Sequence, residues 1–197
     1  MAIHLFKDAE LTQQISEGTL QSPDSDVFNG TDGESKDKQL YLANEQTTLA
    51  SAIDGMTSTI LLAEARFADG QVIIIGAEQM HIVSGGGTTE LTVERGYAGT
   101  ATGNHSSGTK VYSGYNYSDL TILPVDEVGS SEASWVKLAT NQAGLESAVT
   151  GAPLALGNKV HNSTLSFWRR IIVPAGTPVQ NKTDIKLRLT GTESPII

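Results

Sequence analysis

Hydrophobic and polar residues alternate in short runs along the chain, and this period of two predicts strands rather than helices. The clearest case lies near the C-terminus, in residues 184–189. There the core-facing side chains are predicted to be Ile185, Leu187 and Leu189, and the solvent-facing ones Lys186, Arg188 and Thr190. Residues 71–76 form instead a continuous run of β-branched residues, which is typical of a strand buried on both faces.

The pattern predicts twelve strands separated by Gly-, Asn- and Ser-rich turns. They span residues 3–7, 39–44, 58–63, 71–76, 78–83, 89–95, 109–112, 120–123, 135–138, 152–157, 164–173 and 184–189. Residues 84–87 supply the turn of a hairpin, while residues 22–38 carry turn chemistry throughout. Residues 8–16 could form a helical piece, but one too short to be stable alone.

These strands predict an all-β protein in three parts. Residues 1–56 are expected to form an extended N-terminal arm, and residues 57–114 a small β-barrel-like domain. Residues 118–197 have the strand number and spacing of an immunoglobulin-like β-sandwich. Composition agrees, because the chain has 20 glycines in 197 residues and only 18% charged residues.

Composition also limits the chemistry. The chain has no cysteine, which excludes disulfides and thiol nucleophiles. The net charge of -9 argues against a nucleic-acid partner. No apolar run approaches the ~18 residues of a membrane span, and no signal-peptide core is present. We therefore expect synthesis in a cytoplasm and no membrane partner.

Charge is distributed unevenly along the sequence. Residues 1–50 carry nine acids and three bases, whereas residues 118–197 carry seven of each. An acidic cluster spans residues 24–37, and it could bind Ca²⁺ or dock on a basic neighbour. Its spacing does not fit an EF-hand loop, since Phe28 and Ser35 occupy ligand positions. A solvated or docked loop is therefore the preferred interpretation, with no metal ligand assigned.

No catalytic or cofactor-binding residue is predicted. The sequence has no Gly-x-Ser-x-Gly elbow and no His-Glu-x-x-His motif, and its four histidines are scattered. A Ser–His–acid triad nevertheless needs no adjacency in sequence. A small cell-wall hydrolase therefore stays as a hypothesis. It ranks third, after the assembly role inferred at the end of this section and after a receptor- or carbohydrate-binding module, which ranks second.

One segment resembles a known group of proteins. Residues 91–112 contain Leu-x-Val-x-Arg-Gly, a Gly-Thr pair, a histidine and Gly-x-x-Val, preceded by Ile-x-Ile-Gly-x-Glu at residues 73–78. This pattern is similar to one in virion proteins of tailed bacteriophages. The residues around 167–184 also resemble the last strands of sandwich domains in such particles. The resemblance implies a structural virion protein of the head-decoration, neck or tail-accessory type, made in the cytoplasm of a bacterial host and located in the virion.

The pattern has a structural interpretation as well. Gly96 and Gly99 allow a sharp turn after the strand. Arg95 at the strand end is expected to bond to loop carbonyls, and His105 to hold the loop from the other side. These four residues are predicted to stabilise a loop rather than to catalyse a reaction.

Assembly contacts are the expected function. Trp168, Arg169, Arg170, Phe28 and Tyr41 are the candidate interface residues, because aromatic residues and arginine are enriched at binding hot spots. The expected partners are other virion proteins, namely the major capsid protein, portal, neck or tail subunits, and further copies of the chain in a homo-oligomer. The N-terminal arm is expected to reach over an adjacent subunit.

Overall fold

The computed structural model describes residues 2–126, 128 and 131–196, and within these ranges the protein is all-β. No helix in the described part is long and apolar enough to cross a membrane. The strands are β1 (Ile3–Phe6), β2 (Glu34–Asn44), β3 (Gln46–Thr48), β4 (Thr59–Leu61), β5 (Val72–Ile75), β6 (Glu78–Ser84), β7 (Glu90–Glu94), β8 (Lys110–Ser113), β9 (Tyr115–Asp126), β10 (Val136–Ala139), β11 (Leu154–Lys159), β12 (Thr164–Val173) and β13 (Ile185–Pro195). They form three antiparallel sheets.

Two of the sheets pack face to face. A four-stranded sheet has the order β1-β2-β12-β10, and a three-stranded sheet has the order β11-β9-β13. Leu40 and Phe167 from the first sheet are fully buried together with Ile122 from the second. The apolar side chains of β13 pack on this core while Lys186 and Arg188 are exposed, as the alternation predicts.

The third sheet is a half-barrel with the order β3-β8-β5-β6-β7-β4. Its two edge strands meet at one end, where the Ala50 N–H donates to the Leu61 carbonyl at 2.8 Å and the Ala63 N–H to the Thr48 carbonyl at 2.9 Å. All four residues of β5 are buried, as the apolar run at residues 71–76 predicts. The half-barrel is inserted between β2 and β9 of the two-sheet unit.

The N-terminal segment differs from the predicted arm. Within residues 1–56, β1 and β2 belong to the four-stranded sheet, and β3 is an edge strand of the half-barrel. Strand β2 pairs with β12 over ten residue pairs, from Thr164 opposite Ala43 to Val173 opposite Glu34. The longest described stretch of this segment outside the strands is residues 7–33. Pairing over such a length satisfies backbone groups that an extended arm would expose to solvent.

Local signals misled the prediction at several places. Residues 34–38 carry charged and turn-forming residues, yet they belong to β2 because β12 supplies a complete pairing partner. Residues 8–16 form bends, turns and a single bridge rather than a helix. Strands β9 and β13 run longer than predicted, through residues 115–126 and 185–195. Residues 1, 127, 129, 130 and 197 of the predicted domains lie outside the described ranges.

Strand order also separates the two-sheet unit from an immunoglobulin constant domain. Both have seven strands in sheets of four and three. In an immunoglobulin domain the fifth strand joins the first, second and fourth. Here the sixth strand of the unit, β12, takes that place beside β2 and β10, and the fifth, β11, pairs with β9.

Candidate interaction surface and loop network

The outer face of the four-stranded sheet brings together several predicted interface residues. Phe167 pairs with Leu40 and both face the core, so their neighbours along each strand point outward. Trp168 is paired with Gln39, and Tyr41 with Ser166. We call the four residues Gln39, Tyr41, Ser166 and Trp168 the outer patch.

Hydrogen bonds give the outer patch a defined arrangement. The Tyr41 hydroxyl donates to Gln39 Oε1 at 3.1 Å, and Gln39 Nε2 donates to Ser166 Oγ at 3.2 Å. Trp168 and Tyr41 are both half-buried. The Trp168 indole N–H makes no hydrogen bond to any other residue in the described ranges. A half-buried indole with an unused donor is well suited to a contact with another surface.

Arg170 borders the outer patch and is held by acids of the same chain. Its guanidinium donates to both oxygens of Asp37, at 2.6 Å to Oδ1 and 2.9 Å to Oδ2. It also contacts Glu146 Oε1 at 2.8 Å. The hydrogen bond from Arg170 outweighs desolvation and lowers the pKa of Asp37. Arg170 thus lies beside the patch with its charge already balanced.

Arg169 and Phe28 do not belong to this surface. Arg169 lies on the opposite face of β12, and only 1% of the residue is exposed. Its Nε donates to Asp24 Oδ2 at 2.6 Å, and its Nη2 contacts Asp26. The Phe28 ring lies 5.3 Å from Lys36 Nζ in the same acidic segment. Arg169 therefore holds the chain's own loop.

This contact explains the uneven charge of the sequence. Asp24 and Asp26 form ion pairs with Lys38 as well as with Arg169. Burial raises the pKa of Asp24, but the hydrogen bonds and charges of Arg169 and Lys38 outweigh it and lower the pKa. The acidic segment thus docks on bases within the same molecule. In the described ranges, no three acidic or histidine side chains are close enough to hold a metal ion.

The residues of the Arg-Gly pattern converge on Glu78. Arg95 donates to the two carboxylate oxygens at 2.6 and 2.8 Å, and His105 Nε2 lies 2.8 Å from Oε2. The backbone N–H groups of Gly96 and Gly103 donate to the same carboxylate at 3.2 and 3.1 Å. Burial would raise the pKa of Glu78, but these partners together lower it to about 2.

Arg95 also holds the surrounding loops. Its Nη1 donates to the carbonyls of Asp54 and Thr57 at 2.7 and 2.8 Å, and its Nη2 donates to the Gly103 carbonyl at 2.7 Å. A carboxylate with this many donors, only 2% exposed, has little capacity left to accept a substrate proton. The network thus connects three loops, and Arg95 contacts loop carbonyls while His105 contacts Glu78.

The two glycines of the pattern differ in their surroundings. Gly96 has φ 62°, and a Cβ there would lie 2.8 Å from the Thr100 carbonyl oxygen. Gly99 has φ 79° with open space around it. Gly96 is thus required for both conformation and space, and Gly99 for conformation alone.

Glu78 is the residue that sequence reasoning missed. In the sequence it stands at the last position of the Ile-x-Ile-Gly-x-Glu pattern, which by itself assigns it no role. A buried arginine requires a carboxylate partner. The signal that could have identified Glu78 is therefore an acidic residue in the strand before the one that ends in Arg-Gly.

Comparisons with protein-family models, curated proteins and solved structures give no match.

Proposed function

We propose that the protein is a non-enzymatic structural component of a tailed-phage virion. It would act as a capsid-decoration, neck or tail-accessory protein, made in the host cytoplasm and carried in the particle. Its partners would be the major capsid protein, portal, neck or tail subunits, together with other copies of the chain. Contacts between subunits, rather than a reaction, would be its contribution.

The loop network supports this proposal most directly. The segment that resembles virion proteins supplies Arg95, Gly96, Gly103 and His105, and all four bind the single carboxylate of Glu78. The pattern residues are therefore occupied in holding loops of the half-barrel together. A rigid shape of this kind suits a subunit that is used in many copies.

The outer patch is the proposed contact with a neighbouring subunit. Two aromatic side chains lie on paired strands, so they lose little conformational freedom when a partner covers them. The two-sheet unit shares its strand number and layering with immunoglobulin-like domains, and we propose a similar supporting role for it. Residues 7–33, which remain of the predicted arm, would contact a neighbour through the side that does not face Arg169.

The test uses particles and two variants. The double variant Tyr41→Ala/Trp168→Ala should keep its fold, because both side chains are only half-buried, but it should lose incorporation into particles by tenfold or more. Tyr97→Ala is the matched control, since Tyr97 is 36% exposed on the half-barrel and should not affect incorporation. Equal incorporation of the double variant and the wild type would contradict the proposed contact.

Copy number per particle tests the wider proposal. Quantitative mass spectrometry of purified particles should detect the chain at a fixed symmetric number. Hundreds of copies would indicate capsid decoration, and six to twelve would indicate a neck or baseplate position. Absence of the chain from particles would contradict a virion role.

A cleft bordered by amide and hydroxyl groups favours carbohydrate binding as the second candidate. The cleft has a volume of about 370 Å³, and amide and hydroxyl side chains line it, among them Asn116, Ser118, Asn158 and Ser194. Asn116 Oδ1 and Asn158 Oδ1 accept backbone N–H groups at 2.9 and 3.2 Å, which leaves their NH₂ groups to donate to sugar hydroxyls. A glycan array on the whole protein would detect this activity.

A further inference from the structure

The junction between the two units contains a buried carboxamide. Strand β2 ends at Asn44 where the chain leaves the two-sheet unit, and the chain returns through Ser113 and Tyr115. Asn44 Nδ2 donates to the Ser113 carbonyl at 3.2 Å, to Ser113 Oγ at 3.1 Å and to the Tyr115 carbonyl at 2.8 Å. Asn44 and Ser113 are 1% and 0% exposed. The amide group is therefore held in one orientation.

A lysine from the facing sheet contacts the same amide. Lys159 at the end of β11 is 2% exposed, and its Nζ lies 2.5 Å from Asn44 Oδ1. Because a C=O bond is about 1.2 Å long, Nζ is within about 3.7 Å of the Asn44 amide carbon. Reacting atoms in near-attack arrangements are about 3–3.5 Å apart, so a small movement would bring nitrogen and carbon together.

Burial shifts this lysine toward its neutral, nucleophilic form. Within the described ranges Lys159 forms no ion pair with an acid, and its other polar contact is the Val160 carbonyl at 3.1 Å. Burial lowers the pKa of Lys159 to about 8. A free amine is therefore accessible near neutral pH, and it is the amine that attacks a carbonyl carbon.

We propose that Lys159 and Asn44 form an intramolecular isopeptide bond. Lys159 Nζ attacks the Asn44 amide carbon, a C–N bond forms, and the bond from that carbon to Nδ2 breaks. The proton lost by Nζ goes to the departing nitrogen, which leaves as ammonia, so no oxidant or co-reactant is needed. Ser113 Oγ accepts from Nδ2 at 3.1 Å and donates its own proton to the Ala2 carbonyl at 3.1 Å, so its role is to hold the amide in place.

The bond would join the two sheets of the two-sheet unit. Asn44 lies in β2 of the four-stranded sheet and Lys159 in β11 of the three-stranded sheet, so the link would cross the core beside the insertion point of the half-barrel. It would also replace a buried ammonium group by a neutral amide, which removes a desolvation cost. This inference does not depend on the proposed virion function.

Mass spectrometry of the folded wild-type protein tests the proposal. The intact protein should be lighter than its sequence mass by one ammonia. Trypsin should release residues 39–66 covalently joined to residues 138–169, because an acylated Lys159 is not cleaved. Full sequence mass, together with normal cleavage after Lys159, would overturn the proposal.

Two lysine variants separate the reaction from other causes of mass loss. Lys159→Met should restore the missing ammonia to the intact mass. Lys137→Met should keep the deficit, since Lys137 lies in β10 of the four-stranded sheet and, within the described ranges, hydrogen-bonds to the Leu145 and Glu146 carbonyls. A deficit that persists in Lys159→Met would overturn the proposal, even if that variant is unfolded. The wild-type measurement stands whatever the variant's stability.

Discussion

Arg95 and Glu78 form a two-point ion pair in the half-barrel, with Nε 2.6 Å from Oε1 and Nη2 2.8 Å from Oε2. Their side chains are only 7% and 2% exposed. The pair connects the end of β7 to the start of β6 and, through the other donors of Arg95, to loops at residues 54–57 and 103. Loss of either partner would leave a buried charge without compensation.

Replacement of the carboxylate should therefore be costly. We expect Glu78→Gln to destabilise the half-barrel by about 3–5 kcal/mol, the range for breaking a buried ion pair from one side. Hydrogen exchange of the amides in residues 72–113 would measure the loss locally. Both tryptophans, Trp135 and Trp168, lie outside the half-barrel, so their fluorescence would report whether the two-sheet unit stays folded.

Glu94→Gln is the matched control for this change. Glu94 lies in β7 of the same sheet, but its side chain is 62% exposed. Its substitution should change stability by less than about 0.5 kcal/mol. Equal effects of the two substitutions would show that the Glu78 network does not stabilise the half-barrel.

Because Glu78 has a low pKa in the folded protein, we expect the free energy of unfolding to depend on pH. The pKa of Glu78 falls from 4.5 to about 2 on folding, so the folded state binds its proton less tightly than the unfolded state does. The stabilisation is complete above pH 4.5 and is lost as the pH falls through about 2. Its size is up to about 3 kcal/mol. Urea unfolding at pH 7, 4, 3 and 2 should show this loss in the wild type and a smaller one in Glu78→Gln.

Adjacent residues of β12 should differ in how much their truncation destabilises the protein. Phe167 is 0% exposed in the core, so Phe167→Ala should cost about 3–5 kcal/mol. Trp168 belongs to the outer patch and is half-buried, so Trp168→Ala should lower the free energy of unfolding of the free protein clearly less. Denaturant midpoints of the two variants give the comparison. The reverse order would mean that the assignment of the two faces is wrong.

Removal of the Arg169 charge should release the acidic loop. In Arg169→Met, Asp24 and Asp26 keep only Lys38 as a partner, so residues 22–28 should exchange hydrogen faster and be cut sooner by protease. Truncation of a buried ion pair should also lower stability by about 3 kcal/mol or more. Arg188→Met on the exposed side of β13 is the control, and it should leave the loop protected.

Alternation and composition were enough to predict the all-β class and most of the strands. Strand β12 was predicted at residues 164–173, and β5 was predicted as a strand buried on both faces. These features depend on side-chain periodicity within a few residues, which the sequence displays directly. The loop-holding contacts of Arg95 were also expected, because a long donor side chain at a strand end reaches nearby carbonyls.

Tertiary structure alone decided which distant segments meet. Strand β2 pairs with β12, and Glu78 lies beside Arg95 and His105, 17 and 27 residues further along the chain. Strand order and register determine such contacts, and neither is encoded in the local alternation of apolar and polar residues. For the same reason the sequence shows the acidic segment and the two adjacent arginines, but only the fold places Asp24 beside Arg169 and Lys159 beside Asn44.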